Sequence, residues 1–459
     1  MAAEKVDVVI LGGGSAGSNA ARAAFNGSNR VIMVHPEGLI NTCVEEGCMP
    51  SKSVLAGAHQ GEPLGTILET RDAHIDRLRN ALVGGFDADG IVRVEGTAMF
   101  VDDNTVKITG TDGTEVVYDA GHIIIATGST PFIPPIPGLD PEHERVLISD
   151  DVVSKGAGID VVPKRVLTIG GGPIGLELST FFHDMGAHVD VLQRGGALAA
   201  FDPEFGEERV RASADASSFP IHLDANLTNV EMTDTGAECT IDFMGETKTE
   251  VYDVILVATG RKPNTQDLGL ENTSIERDER GGVTHDEHMR TSVPHIYIAG
   301  DVTGHHQILH FASAMGQIAG RNAGHNENEA IDYDRLMLAV SFDQFPSALI
   351  GLTETEAKKR GIEVITATRH FNSIGLGILK RQEYGLWKLV AEKDSGRIIG
   401  AQVLGPDSSG ELVQLLSPVI YNKNTHDDIL AMTWYHPTYA EILQSLARDL
   451  AKQHKSLTS

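Results

Sequence analysis

Apolar residues in this chain come in short, nearly unbroken runs that stop at glycine. VDVVIL (6–11) breaks at GGGSAG and continues into an alanine-rich helical pattern, SNAARAA. RVLTI (165–169) breaks at GGGPIG and runs into LELSTFF. Two later runs, HIIIATG and VILVATG, each end in Ala-Thr-Gly: Ala126, Thr127 and Gly128 with Ser129 beyond, then Ala258, Thr259 and Gly260. Strands without polar alternation, interleaved with helical patterns, predict parallel sheets covered on both faces. Near the C-terminus the pattern changes, and YHPTYAEILQSLARDL opens an amphipathic helix. The expected fold class is α/β: two Rossmann-like three-layer domains followed by a C-terminal α+β domain.

The glycines sharpen this. Gly12, Gly14 and Gly17 form G-x-G-x-x-G between a strand and a helix, and Gly170, Gly172 and Gly175 repeat it. The first glycine makes the tight turn, the second lets a pyrophosphate approach the backbone, and the third lets helix and strand pack closely. The phosphates then rest on the helix N-terminus. Repetition of the whole pattern points to two dinucleotide sites; the competing reading is two α/β domains whose tight turns hold no ligand. The acidic residue that usually grips a ribose is missing at both matching positions. His35 stands there in the first half, with Glu37 two residues on as its substitute, and Gln193 followed by Arg194 stands there in the second. Arg194 is either a phosphate partner, which makes NADP an alternative to NAD, or a solvated surface charge.

Charge narrows the partners. A net charge of −27 over 459 residues opposes nucleic-acid binding and suits a highly soluble protein, one adapted to salt included. No apolar run approaches the roughly 20 residues that span a bilayer, and the first residues lack a signal-peptide pattern, so a cytoplasmic location without membrane is expected. Of three cysteines, Cys239 lies alone in a strand-like stretch and is expected to be packed and inert. Cys43 and Cys48 sit together in NTCVEEGCMPSK. On an ideal helix their Cα atoms would lie about 8.5 Å apart, whereas a disulfide needs roughly 4.4–6.8 Å. They can be bridged only if the helix is broken between them, and Gly47 and Pro50 supply a means. The pair reads as a redox-active disulfide, with a structural bridge and metal ligation as its rivals. Glu45 and Glu46 between the sulfurs are expected to raise the thiol pKa.

Together these motifs resemble the flavoprotein pyridine-nucleotide disulfide oxidoreductases, especially their dihydrolipoamide dehydrogenase branch. The resemblance runs in order through GGGSAG, C-x4-C-x-P-S-K, ATGS, GGGPIGLE, VATGRKPNT, TSVPHIYIAGDVTG and YHPTYAE. It implies FAD in the first half, held by Gly12, Gly14, Gly17, Glu37, Thr42, Lys52, Thr127, Gly128 and Ser129, with Asp301, Leu309 and His310 beside it. It implies a nicotinamide cofactor in the second half, at Gly170, Gly172, Gly175, Glu177, Gln193, Arg194 and Gly260. Cys43 would be the thiol facing substrate and Cys48 the thiolate against the flavin, with Lys52 nearby and Glu177 as its ion-pair partner. His436, oriented by Glu441, would be the base, reaching across a homodimer to the partner's cysteines. His305, His306 and His310 in GHHQILHF would edge the flavin pocket rather than bind metal, and no metal is expected.

The resemblance implies an FAD domain over 1–149, a nicotinamide domain over 150–271, a central domain over 272–338 that completes the FAD site, and a dimerisation domain over 339–459. The last opens on Asp343-Gln344-Phe345 before Pro346, where the family has Thr-x-Pro. The implied activity is oxidation of dihydrolipoamide by NAD+, on a lipoyl-bearing acyltransferase of a 2-oxo acid dehydrogenase complex. NADPH-dependent reduction of glutathione or another small disulfide is the alternative. A flavin-bearing structural subunit without turnover is the alternative of another class.

Overall fold

The computed structural model describes residues 3–36, 41–89, 91–157, 159–214, 218–279, 281–335 and 337–458. β1 (Glu4–Leu11) pairs in parallel with β2 (Val31–His35) on one side and with the strand Glu115–Ile125 on the other. A strand from far along the chain, Ile296–Ile298, adds itself in parallel to Glu115–Ile125. Successive side chains of a strand point to opposite faces, and β1 shows why its run is unbroken. Val8 and Ile10 pack with Ala16, Ala20 and Phe311, whereas Val9 and Leu11 pack with Phe100, Val106 and Ile108.

Helix α1 (Ser15–Ala24) follows the first glycine turn. It lies against the helix Leu309–His325, and glycines of that helix meet alanines of α1 at the closest approach. A Cβ added to Gly316, Gly320 or Gly324 would come within 2.2, 2.4 and 2.2 Å of the carbonyl oxygens of Ala16, Ala20 and Ala24. The strand Ile296–Ile298 and this helix thus bring residues from beyond 290 into the first sheet's layers.

The second sheet is parallel throughout and runs Ile221–Leu223, His188–Gln193, Arg165–Ile169, Val254–Val257, Val146–Leu147. A short antiparallel pair, Ser129–Pro131 with Arg261–Pro263, ties the two sheets' Ala-Thr-Gly ends together. Thr127 Oγ1 donates to Asn264 O at 2.6 Å and Thr259 Oγ1 donates to Phe132 O at 2.6 Å, a reciprocal clasp. Cys239 is buried within a three-stranded meander beside this sheet, and burial pushes its thiol up to about 12.

The last unit is a five-stranded antiparallel sheet, in which Ser347–Gly351, Ile398–Leu404 and Leu386–Glu392 are central, covered by the helix Ile442–Thr458. Among the described residues, no helix is long and apolar enough to cross a membrane.

Candidate active site

The cysteine pair is built by a broken helix. Asn41 caps α2 (Thr42–Glu45), its Oδ1 accepting from Val44 N at 3.3 Å, while its own N–H donates to Glu45 Oε2 at 3.2 Å. The helix stops after one turn, because Glu46 and Gly47 both leave helical geometry. α3 (Cys48–His59) then starts afresh. That break is the irregularity that the spacing of Cys43 and Cys48 demands, and it brings the two sulfurs into hydrogen-bond contact as free thiols.

The pair is electrostatically lopsided. The hydrogen bond from Cys43 and the charge of Lys52 pull the Cys48 thiol down to about 7, against its burial and Glu177. The same hydrogen bond and burial hold Cys43 far above the usual thiol range. A thiolate at Cys48, solvated by a neighbouring thiol and a cation, is the physical content of that asymmetry.

Glu45 and Glu46, expected from their position to raise the thiol, both have partners of their own. Glu45 is buried and turned away, its carboxylate 3.0 Å from Arg79 Nε. Glu46 is itself held up by burial and by Asp150, with Arg261 opposing. The largest influences on the Cys48 thiol come from Cys43, burial and Lys52.

Lys52 lies one helical turn beyond Cys48 and donates to Glu177 Oε2 at 2.7 Å and to Ser51 Oγ at 3.3 Å. Glu177 sits on the helix Pro173–Asp184, just after the second glycine turn. Burial raises its carboxyl, and the Lys52 ammonium opposes that. The Lys52–Glu177 pair that the resemblance implied is therefore present, and Glu177, also expected at the nicotinamide cofactor, is not among the residues that line the second cleft.

The first glycine turn fits a bound dinucleotide. Gly12 has φ +119°, and a Cβ there would lie 2.1 Å from Ala126 O, so turn and sheet exclude any larger residue. Before Gly14 the space is open, as a pyrophosphate requires. Asp301 accepts from Ser129 Oγ at 2.8 Å, and its burial raises its carboxyl. Arg261 brackets the same serine, with Nε 2.8 Å from Ser129 Oγ. Arg261 follows the second Ala-Thr-Gly directly, which was the signal for it. Thr42 is the first residue of α2 and Gly128 follows the Thr127 clasp. Leu309 and His310 open the helix that packs on α1. Glu37 lies outside the described residues. His35 Nε2 is buried without a hydrogen-bond partner among the described residues, so the residue at the usual ribose position keeps a free ring nitrogen.

Gly170, Gly172, Gln193, Arg194 and Gly260 line one cleft of ≈ 630 Å³. Nothing stands before Gly172 or Gly260, so a phosphate can approach the backbone. Gly175 is the packing glycine, its added Cβ 1.9 Å from Gly170 O. Gln193 is already engaged: Oε1 accepts from Gly171 N at 2.8 Å and Nε2 donates to Gly196 O at 3.3 Å. Among the described lining residues there is no carboxylate, and Arg194 and Arg261 are its cations.

His436 stands apart from this cluster. Its Nδ1 lies 2.8 Å from Glu441 Oε1, the ring is 74% exposed, and among the described residues no hydrogen bond or ion pair joins it to Cys43 or Cys48. Met432 and Tyr435 beside it are exposed as well. His306 stacks on Phe311 at 4.6 Å, and the rings of His305 and His285 lie 6.0 Å apart. Among the described residues, one group of three could share an ion, Asp202, Glu204 and Glu354. The Lys388 ammonium already occupies its centre, at 3.0, 2.6 and 2.6 Å.

Comparison with known proteins agrees with this geometry. Residues 6–317 match the pyridine nucleotide-disulphide oxidoreductases, and residues 337–447 match the dimerisation domain of the same family. The chain is 31% identical to a dihydrolipoyl dehydrogenase of Bacillus subtilis, over 96% of each chain. It is 33% identical to one of Haloferax volcanii, over 97% of this chain and 96% of the other. Two solved structures share the fold. LpdA of Mycobacterium tuberculosis matches with TM-score 0.86 at 23% identity, covering 97% of this chain and 99% of that one. The HOCl-induced flavoprotein disulfide reductase RclA of Escherichia coli matches with TM-score 0.83 at 24% identity, covering 96% and 99%.

Proposed function

This chain belongs to the pyridine nucleotide-disulphide oxidoreductases, and we propose that within the family it oxidises dihydrolipoamide with NAD+. The observation that carries the reading is the thiol pair, in which Cys48 is the acidic member beside Lys52 and Cys43 the basic one. Support for dihydrolipoamide comes from the likeness to dihydrolipoyl dehydrogenases, that of Bacillus subtilis being matched over 96% of its length. It would arrive on the lipoyl-bearing acyltransferase of a 2-oxo acid dehydrogenase complex in the cytoplasm.

In the oxidised enzyme Cys43 and Cys48 are a disulfide. A substrate thiolate attacks Cys43 Sγ, the S–S bond breaks, and Cys48 leaves as a thiolate stabilised by Lys52. The second substrate thiolate then displaces Cys43, closing the substrate disulfide and leaving Cys43 to take a proton. His436 takes the proton of the first thiol, returns it to Cys43 as that sulfur is displaced and takes the proton of the second thiol, with Glu441 orienting its ring. That no hydrogen bond or ion pair among the described residues joins His436 to the cysteines of its own chain supports a role at the partner's pair in a homodimer.

Gly12, Gly14, Gly17, Thr42, Lys52, Gly128, Ser129, Asp301, Leu309 and His310 would hold FAD, with Thr127 supporting the loop. FAD, when bound, supplies the two-electron relay between the thiol pair and the nicotinamide. Gly170, Gly172, Gly175, Gln193, Arg194 and Gly260 would hold the nicotinamide cofactor.

The test is NADH formation from free dihydrolipoamide, run beside NADP+. Failure with both, in protein that retains FAD and a reducible disulfide, removes dihydrolipoamide as the substrate. A second reading, NADPH-dependent reduction of glutathione or another small disulfide, draws on the carboxylate-free cleft with Arg194 at its edge. Turnover of glutathione disulfide with NADPH would favour it.

A further inference from the structure

The four residues 342–345, at the opening of the antiparallel unit, all engage the second sheet's helices. Phe342 N–H donates to Glu177 Oε1 at 3.1 Å, and its ring lies 4.6 Å from Lys52 Nζ. Gln344 N–H donates to Thr180 Oγ1 at 3.2 Å, one turn beyond Glu177 on the same helix. Asp343 is fully buried and accepts from Arg209 Nε and Nη2 at 3.0 and 2.8 Å, with Ser341 Oγ donating at 3.0 Å. Phe345 lies beneath the same guanidinium at 5.1 Å.

This is where the chain departs from Thr-x-Pro, and the departure has a structural account. Asp343 and Phe345 form a two-sided seat for Arg209, on the helix Pro203–Ser213. A buried, paired carboxylate admits little freedom, since breaking such a pair strands a charge. The neighbouring Phe342 is thereby held in one place, half-exposed over Lys52.

We propose that Phe342 is a positioning residue for the redox centre: its ring caps the Lys52 ammonium while its backbone N–H fixes Glu177, so the dimerisation domain itself sets the cation that faces the cysteine pair. Lys52 then has an anion on one side and an aromatic face on another. A cation over an aromatic face is attracted by the ring quadrupole. The carboxylate and the ring fix where the positive charge stands, and the Cys48 thiolate feels it. The charged and titratable groups bearing most on that thiol are Cys43, Lys52 and Glu177, with Asp343 bearing on Glu177 in turn and Glu45 and Glu46 lying between the two cysteines in the chain.

The inference rests on the redox-disulfide reading, and one experiment separates the two. The holoenzyme is reduced by two electrons, and its long-wavelength thiolate–flavin absorbance is titrated against pH in wild type, Phe342→Leu and Phe342→Tyr. The titration midpoint of the leucine variant is expected to rise, by less than removal of the Lys52 charge would raise it, because the ring acts on the thiol only through where Lys52 stands. The tyrosine variant is expected to keep the wild-type midpoint. A leucine variant with an unchanged midpoint overturns the inference, whatever its activity. So does a tyrosine variant shifted as far as leucine, which would make the effect one of packing. If Phe342→Leu loses FAD, Phe342→Met is titrated in its place under the same criteria. A wild type with no such band fails the redox-disulfide reading instead.

Discussion

Lys52 and Glu177 stand 125 residues apart in the chain and 2.7 Å apart in space, one on the cysteine helix and the other behind the second glycine turn. That contact makes the Cys48 environment a joint product of two sheets. Replacing Lys52 by methionine removes the cation that lowers the thiol and leaves Glu177 buried without its partner. The Cys48 thiol, at about 7 in the intact protein, should then rise by about one pH unit or more. Because the pKa is depressed, the thiolate prevails above pH 7 and is lost as pH falls through it. The thiolate–flavin absorbance of the two-electron-reduced enzyme measures both the wild-type midpoint and its upward shift.

The exposed pair His436–Glu441 predicts a split between half-reactions. His436→Gln should slow oxidation of a dithiol by about 10²–10⁴-fold, the usual span for a general base. It should leave NADH-driven reduction of ferricyanide unchanged, since that route bypasses the cysteines. Glu441→Gln should cost less, because it misorients the ring without removing it. Stopped-flow traces of each half-reaction decide the matter, and equal losses in both would remove His436 from the thiol chemistry.

Gln193 carries a prediction about cofactor choice. Gln193→Glu restores a carboxylate at the ribose position and places a negative charge where a 2′-phosphate would sit. The ratio of kcat/KM for NADP(H) over NAD(H) should fall by about tenfold, equivalent to one charged contact. Arg194→Ala should move the same ratio the same way if Arg194 meets the phosphate. No movement in the ratio would make Arg194 a surface charge.

The α1 contact with the helix Leu309–His325 predicts a stability cost. An alanine Cβ at Gly320 would lie 2.4 Å from Ala20 O, well inside van der Waals contact. Gly320→Ala should destabilise by about 1–3 kcal/mol, as overpacking does. Thermal unfolding followed by flavin fluorescence should show a lower Tm and earlier FAD release.

The net charge of −27 predicts salt dependence. Self-repulsion is screened over about 10 Å at 0.1 M salt and about 3 Å at 1 M. Raising KCl across that range should therefore raise Tm, and a flat response would show that local ion pairs already neutralise the surface.

Much of this was legible in the residues themselves. An unbroken apolar strand, a turn that only glycine can make and a helix behind it are local matters, so both dinucleotide folds and their Ala-Thr-Gly ends could be read directly. The cysteine spacing likewise demanded a broken helix, and Gly47 breaks it. What could not be read was direction. Nothing local says that Glu45 turns to Arg79, or that Asp343 is seated by Arg209 so that Phe342 covers Lys52, and the Lys52–Glu177 pair came from the family resemblance and not from spacing. Those outcomes depend on which elements the folded chain packs together, since a charge in a dry interior must find its partner wherever the fold has put one. Spacing along the chain set the chemistry available, and tertiary packing decided which charges act on the sulfur.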